Sequence, residues 1–360
     1  MNKSNLYAVA VLAAVLLSGN AQAGAFNDFD GDGKSDMAIY QPSVGKWVIR
    51  TLDARALAWF IEWGYPGCMP VPADYDGDGK TDMGIYDEGR GVWFIRTLNP
   101  VRALLWNHKL GGPGFVPVPG DYNGDGKADI GVYELATGNW TVRSLTDFSL
   151  IYSNANWGFK GPVRSWERPI TSTVLPMPFD YDRDGKMDRA VYYRGLSMTD
   201  TAWFILGSSG KWWYNTVWGS SGSLPAPGKY RNVVDEPTYP AGITIYKVKY
   251  SVDSRGRSDG TDGTFNTPYM YQFKLGTYPR SLAVPGHDFD GNGWDDHATY
   301  DYLNGNWAIS FNDADGNGNQ MGNAYQQPPR QIINWGFNGA VPADIYSTIY
   351  AACKYTYKPW

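Results

Sequence analysis

The chain has 360 residues, 31 of them basic and 36 acidic, for a formal charge of −5. Hydrophobic residues make up 43% and charged residues 19%, a globular composition that excludes a disordered chain, while the acidic balance excludes a basic nucleic-acid surface. Abundant glycine (43), proline (23) and aromatic residues (16%) favour strands and turns over long helices.

In chain order the first feature is a targeting segment. Lys3, the apolar run from Leu6 to Leu17, and "AQA" at Ala21 to Ala23 read as a secretory signal peptide, residues 1–23, cleaved before Gly24. The run is too short to span a bilayer, no cysteine follows the cleavage site to carry a lipid, and no later segment reads as a membrane span. Loss of Lys3 leaves 30 basic against 36 acidic residues, a charge of −6. The expected location is outside the cytoplasm: extracellular, cell-surface or periplasmic.

Internal repeats follow. "DFDGDGKSD" at 28 returns as "DYDGDGKTD" at 74, "DYNGDGKAD" at 121, "DYDRDGKMD" at 180 and "DFDGNGWDD" at 288. Each is followed by a short segment ending in tyrosine: Tyr40, Tyr86, Tyr133, Tyr192 and Tyr300. A turn and a tryptophan-bearing segment come next, with Trp47, Trp93, Trp140, Trp203 and Trp307. A further segment then ends in "WG" at Trp63, Trp157, Trp218 and Trp335, or in "LG" at Leu110. A degraded unit starts near Lys229, where "APGKYRN" replaces "VPGDYNG", and "AVPADIY" at 340–346 is a partial copy without the loop.

Loop starts at 28, 74, 121, 180, 229 and 288 set a period of 46 to 59 residues. Four short strands per unit at this period predict an all-β fold, a β-propeller of four-stranded blades. The first unit lacks a "PVP" strand before its loop, and 340–346 supplies one. The expectation is therefore a ring over 24–346, closed by a C-terminal strand pairing beside Asp36 to Tyr40, with 347–360 as a tail. Six blades are expected, and seven is the alternative if the tail forms more structure. "PVP" is placed innermost, then the tyrosine, tryptophan and "WG" strands outward.

The acidic loops have a chemical reading. Acidic or amide side chains at positions 1, 3 and 5 can converge on one centre, glycine at 6 allows the sharp turn, position 7 offers a carbonyl, and Asp at 9 adds oxygens. Six or seven oxygen ligands suit a hard cation of calcium size better than magnesium, which keeps its waters and a stricter octahedron. The loop is not an EF-hand, because position 12 of the first loop is Ile39 and not a bidentate Glu.

In these residues the chain resembles the FG-GAP repeat of integrin α-subunits and the closely similar VCBS repeats of bacterial secreted proteins, over nearly all of 26–346. The resemblance implies calcium loops between the innermost strand and the next. Carried onto this sequence, the ligand sets are Asp28, Asp30, Asp32, the Lys34 carbonyl and Asp36; Asp74, Asp76, Asp78, the Lys80 carbonyl and Asp82; Asp121, Asn123, Asp125, the Lys127 carbonyl and Asp129; Asp180, Asp182, Asp184, the Lys186 carbonyl and Asp188; and Asp288, Asp290, Asn292, the Trp294 carbonyl and Asp296. About five calcium ions would bind if each loop takes one, and they would move the charge from −6 to +4. The departures are the degraded unit, the two asparagines and Trp294 in place of lysine. A similar run from Asp313 lacks the ninth acid and reads as a hairpin loop.

Two cysteines, Cys68 and Cys353, in an oxidising compartment favour a disulfide, with two free buried thiols as the alternative. No catalytic motif is present. His287 and His297 flank the fifth acidic loop and are expected to pack it, and Glu62, Asp87, Glu134, Glu167 and Asp235 form no acid–base pattern. Segments 158–173, 251–268 and 312–329 lengthen links and hairpins, where recognition tends to sit. Within the first, Arg164, Trp166 and Arg168 are candidate ligand-binding residues. The expected function is a secreted, calcium-stabilised binding or adhesion module for glycan or a surface protein. A structural subunit of an extracellular assembly is the alternative, and a carbohydrate-active lyase or hydrolase the second. The sequence names no oligomeric state.

Overall fold

The computed structural model describes residues 26–158, 174–194, 201–217, 223–229, 245–252, 258–266, 272–274, 281–301, 304–311, 330–337 and 340–344. The predicted leader (1–23), Arg164, Trp166, Arg168, the run from Asp313 and Cys353 lie outside them. Every described element is a strand, and all strands belong to four-stranded antiparallel sheets.

Five sheets are propeller blades built on the repeat. The first joins Val341–Pro342, Met37–Gln41, Lys46–Arg50 and Ala56–Glu62, in that order. The second runs Met69–Pro70, Met83–Asp87, Val92–Arg96, Ala103–Lys109, and the third Phe115–Pro117, Ile130–Glu134, Asn139–Arg143, Leu150–Asn156. The fourth runs Val174–Pro176, Arg189–Arg194, Thr201–Leu206, Trp212–Val217. The fifth joins Ser281–His287, Asp296–Asp301, Asn306–Ser310 and Arg330–Asn334. The degraded unit supplies one more four-stranded sheet: Ser223–Pro225, Ile245–Val252, Ser258–Asn266 and Gln272–Lys274. There the segment expected to be a lengthened loop, 251–268, is largely strand, with Ile245 paired to Asn266 and Val252 to Ser258. The added residues extend a paired ladder, which satisfies their backbone groups better than a long loop would.

The strand order is the predicted one, "VP" strand first and the "WG" strand last. The first strand is only two or three residues long in the first four blades and ends at its proline, whereas in the fifth it runs from Ser281 to His287. The second strands are mostly buried, as in "MAIY" and "MGIYD". Directly opposite each second-strand tyrosine stands the third-strand tryptophan, Tyr40 against Trp47 and Tyr86 against Trp93. Such pairs meet edge-on or tilted, at ring distances of 5.1 to 5.3 Å in all five blades. All five tryptophans are at most 1% exposed. Burial of each such ring contributes several kcal/mol, of order 3–5 by truncation.

The "WG" ends lock these pairs. Trp47 donates its indole N–H to the Trp63 carbonyl at 2.7 Å, and Trp140 to that of Trp157 at 2.7 Å. The following glycine is required by close approach: a Cβ on Gly64 would sit 2.3 Å from the Tyr40 hydroxyl, and one on Gly158 2.5 Å from that of Tyr133. The "WG" tryptophan reaches the next blade as well. Trp63 donates to the Met83 carbonyl at 2.8 Å, and Arg96 lies 4.9 Å over the Trp63 ring. Arg50 lies likewise over Trp335, 5.5 Å from its centroid, so the last blade packs on the first.

The chain ends meet at that same place. Ile39 pairs with Pro342 and Tyr40 with Val341, so the C-terminal copy supplies the first blade's missing strand. The Ala343 amide donates to the Ala38 carbonyl at 2.9 Å, and Asn27 Nδ2 donates to the Ala343 carbonyl at 3.0 Å. Cys68 is buried and makes no disulfide among the described residues, and its expected partner Cys353 is outside them.

Candidate metal centres

Each acidic loop leads into the second strand of its blade, and in the second to fifth repeat blades it joins the first strand to the second, the position expected for it. In each, the first aspartate folds the loop around its own carboxylate. Asp28 accepts the Gly31 and Gly33 amides at 2.6 and 2.8 Å, and Asp74 those of Gly77 and Gly79 at 2.7 and 2.9 Å. Asp121 and Asp288 accept the corresponding pairs. The ninth residue closes the loop from the other side. Asp36, Asp82, Asp129, Asp188 and Asp296 accept the amide of position 2 at 2.7 to 2.9 Å. The fifth accepts the amide of position 7, as Asp32 does from Lys34 at 2.9 Å.

These bonds leave oxygens converging on a common point. Three acids lie with ligand atoms within 4.8 Å of one another in four loops: Asp28, Asp30 and Asp32; Asp74, Asp76 and Asp78; Asp180, Asp182 and Asp188; and Asp288, Asp290 and Asp296. The third loop makes the same internal bonds, but Asn123 replaces one of its acids. Such clusters can hold metal ions.

The electrostatics fit a cation. Burial, reinforced by the neighbouring aspartates, pushes Asp36, Asp82, Asp129 and Asp188 up to about 7, against single backbone donors that pull the other way, or two at Asp129 and Asp188. Burial also raises Asp28, Asp74 and Asp180, outweighing the loop amides they accept from. In the fourth loop, Asp182 Oδ1 is buried without a hydrogen-bond partner among the described residues. Buried, crowded carboxylate oxygens are what a hard cation would satisfy.

Sequence reasoning missed a second layer of contacts. The hairpin between third and outer strands folds back onto the loop of its own blade. Arg55 pairs with Asp30 and Arg102 with Asp76, both at position 3. In the third blade the Thr146 hydroxyl donates to Asp125 at 2.9 Å, and in the fourth the Ser208 amide donates to Asp188 at 2.7 Å. The repeated "T-L…R-A-L" around Arg55 and Arg102 was the available signal. His287 packs the fifth loop, as expected, and His297 is buried on the strand that follows it. His287 accepts from Asn27 Nδ2 at 3.0 Å, faces the Pro285 carbonyl at 2.8 Å and stacks on Phe289. Burial pushes His287 down to about 4 and His297 to about 3, so both are neutral.

Fold and loops together define a β-propeller whose repeated acidic loops sit before the second strands of its blades. Residues 71–132, which span the second and third acidic loops, match the family model described as an FG-GAP-like repeat. No curated protein matches the chain. Among solved structures the chain is similar to one described as the basis of specific recognition of non-reducing terminal N-acetylglucosamine by an Agrocybe aegerita lectin. Identity is 13% and the TM-score 0.48, with 85% of this chain and 92% of that one covered. No helix among the described residues is long and apolar enough to cross a membrane.

Proposed function

We propose that the chain is a secreted, calcium-stabilised, six-bladed propeller that acts as a binding or adhesion module for glycan or a surface protein. The sixth blade is the sheet of the degraded unit, inserted between the fourth and last repeat blades. Calcium is favoured over magnesium because six or seven protein oxygens per loop suit calcium, whereas magnesium keeps several of its waters. Secretion rests on the leader, and the oxidising compartment it implies keeps a Cys68–Cys353 bridge as part of the proposal.

The observation that carries a binding role is a contrast among tryptophans. The repeated ones are at most 1% exposed, whereas Trp59, Trp106 and Trp212 are 64%, 68% and 63% exposed on outermost strands. Trp59 and Trp106 hold the same register position in adjacent blades, each at a β-bulge: Trp59 between the Trp47–Ile61 and Ile49–Ala58 pairs, Trp106 between Trp93–His108 and Ile95–Leu105. A bulge re-aims a side chain, and an exposed rigid ring on a rigid scaffold is a stacking surface for the apolar face of a sugar. A glycan array probed with calcium and with chelator tests this reading. Binding lost in a Trp59→Ala/Trp106→Ala variant that melts like the parent supports it. Self-association without glycan binding would favour the structural-subunit alternative, and product release from polysaccharides the enzyme.

A further inference from the structure

Neighbouring acidic loops touch, and they touch in the same way each time. The residue at position 8 of one loop donates its amide to the position 1 carbonyl of the loop before it. Thr81 donates to Asp28 at 2.6 Å, Ala128 to Asp74 at 2.7 Å, Met187 to Asp121 at 2.7 Å and Ser35 to Asp288 at 2.7 Å. The last of these crosses the meeting point of the chain ends. Position 8 stands between the carbonyl ligand at 7 and the acid ligand at 9, and position 1 is itself a ligand. Each amide therefore ties two candidate ion sites through backbone that both must order.

A side chain covers every one of these ties. A Cβ on Gly31 would meet Lys80 Cε at 2.9 Å, one on Gly77 Lys127 Cγ at 2.9 Å, one on Gly124 Lys186 Cε at 2.8 Å and one on Gly291 Lys34 Cγ at 3.0 Å. The lysine at position 7 thus lays its stem over position 4 of the preceding loop. The fourth loop is the exception that identifies the cause. Its position 4 is Arg183, at φ 61°, so the turn itself accepts a side chain in the left-handed region. Glycine at position 4 therefore answers to the neighbour's lysine and not only to the loop's own turn.

We propose that Lys34, Lys80, Lys127 and Lys186 bridge the five metal loops into one array that fills cooperatively, running from the loop at 288 through 28, 74 and 121 to that at 180. This rests on the reading of the loops as metal sites. An ion that orders one loop fixes the carbonyl and the glycine face on which the next loop's amide and lysine stem dock, so the next ion has less backbone to order. The array ends at the degraded unit, which has no acid ladder. At that junction the Asp295 amide donates to the Lys229 carbonyl at 2.9 Å and Lys229 Nζ lies 5.4 Å over the Trp294 ring.

The test uses the full mature chain, stripped with chelator and titrated calorimetrically with calcium chloride. About five ions with a Hill coefficient above 1 are expected. No ion uptake would remove the metal reading itself, whereas five ions bound independently would overturn the array and leave that reading standing. Terbium provides a site-resolved readout, because Trp294 lies within the fifth loop. The luminescence lost in Trp294→Leu, which keeps the carbonyl, reports that site. Lys34→Ala is expected to weaken terbium at the fifth site about fivefold, and Lys186→Ala, at the far end, by less than about twofold. Lys34→Met, which keeps an apolar stem, should restore most of the affinity. Tighter binding in Lys34→Ala would show that the lysine acts only as a repelling charge, and would overturn the bridge. Equal losses from Lys34→Ala and Lys186→Ala would overturn it too.

Discussion

Without metal, the protein should lose stability as pH rises from 6.5 to 8. Asp36, Asp82, Asp129 and Asp188 have ordinary carboxyl values near 3.8 when exposed and about 7 in the fold. A folded value above the unfolded one means that the fold binds the proton more tightly, so stability is present at low pH and lost as pH climbs through 7. Integrated from pH 6.5 to 8, the loss is about 0.8 kcal/mol per group, or about 3 kcal/mol for four groups in separate blades. His287 and His297 act oppositely. Their folded values of about 4 and 3 lie below the usual 6.5, and over this window they return about 0.8 kcal/mol in total. The net loss is about 2 kcal/mol, a fall of about 3 °C in melting temperature for a chain of this size. Excess calcium should abolish or reverse the trend, because the ion needs ionised ligands and binds the folded loops selectively. Thermal melts followed by tryptophan fluorescence, in chelator and in calcium at four pH values, measure both. A chelated protein more stable at pH 8 than at 6.5, or melts indifferent to calcium, would refute the account of buried, uncompensated carboxylates.

Other outcomes follow from particular contacts. Gly64→Ala places a Cβ against the Tyr40 hydroxyl and should cost about 1–3 kcal/mol in denaturant unfolding. Trp93→Ala removes a fully buried ring and its bond to the Leu110 carbonyl and should cost about 3–5 kcal/mol. Trp106→Ala, by contrast, should stay within about 1 kcal/mol in the same assay, because that ring is mostly exposed. Arg183→Gly should change the melting temperature little, whereas Gly124→Arg, which collides with the Lys186 stem, should lower both stability and the number of calcium ions bound, read by calorimetry.

Much of this protein is legible in one dimension because the repeat displays each structural role several times over. The strand order follows from the position of "VP", the tyrosine, the tryptophan and "WG" in every unit, and the pairing of Val341–Pro342 with Met37–Gln41 follows from a strand missing at one end and spare at the other. The candidate ligand positions are legible because a turn of nine residues brings its own side chains together with little help from the rest of the chain. The degraded unit is less so: without the loop as a marker, nothing in 251–268 separates a lengthened turn from an extended ladder.

What lies beyond the sequence is every relation between units. Why "WG" must end in glycine is a matter of the Tyr40 hydroxyl arriving from another strand. Why position 4 is glycine in four loops and arginine in one depends on a lysine from the neighbouring blade. The pairing of Arg55 with Asp30, and the packing of Arg50 on Trp335, join residues that no local spacing connects. Local geometry carries a short-range code that the sequence alone determined: turns, alternation and ligand spacing. Contacts between blades depend on the twist and stacking of whole sheets, and only the tertiary structure decided them.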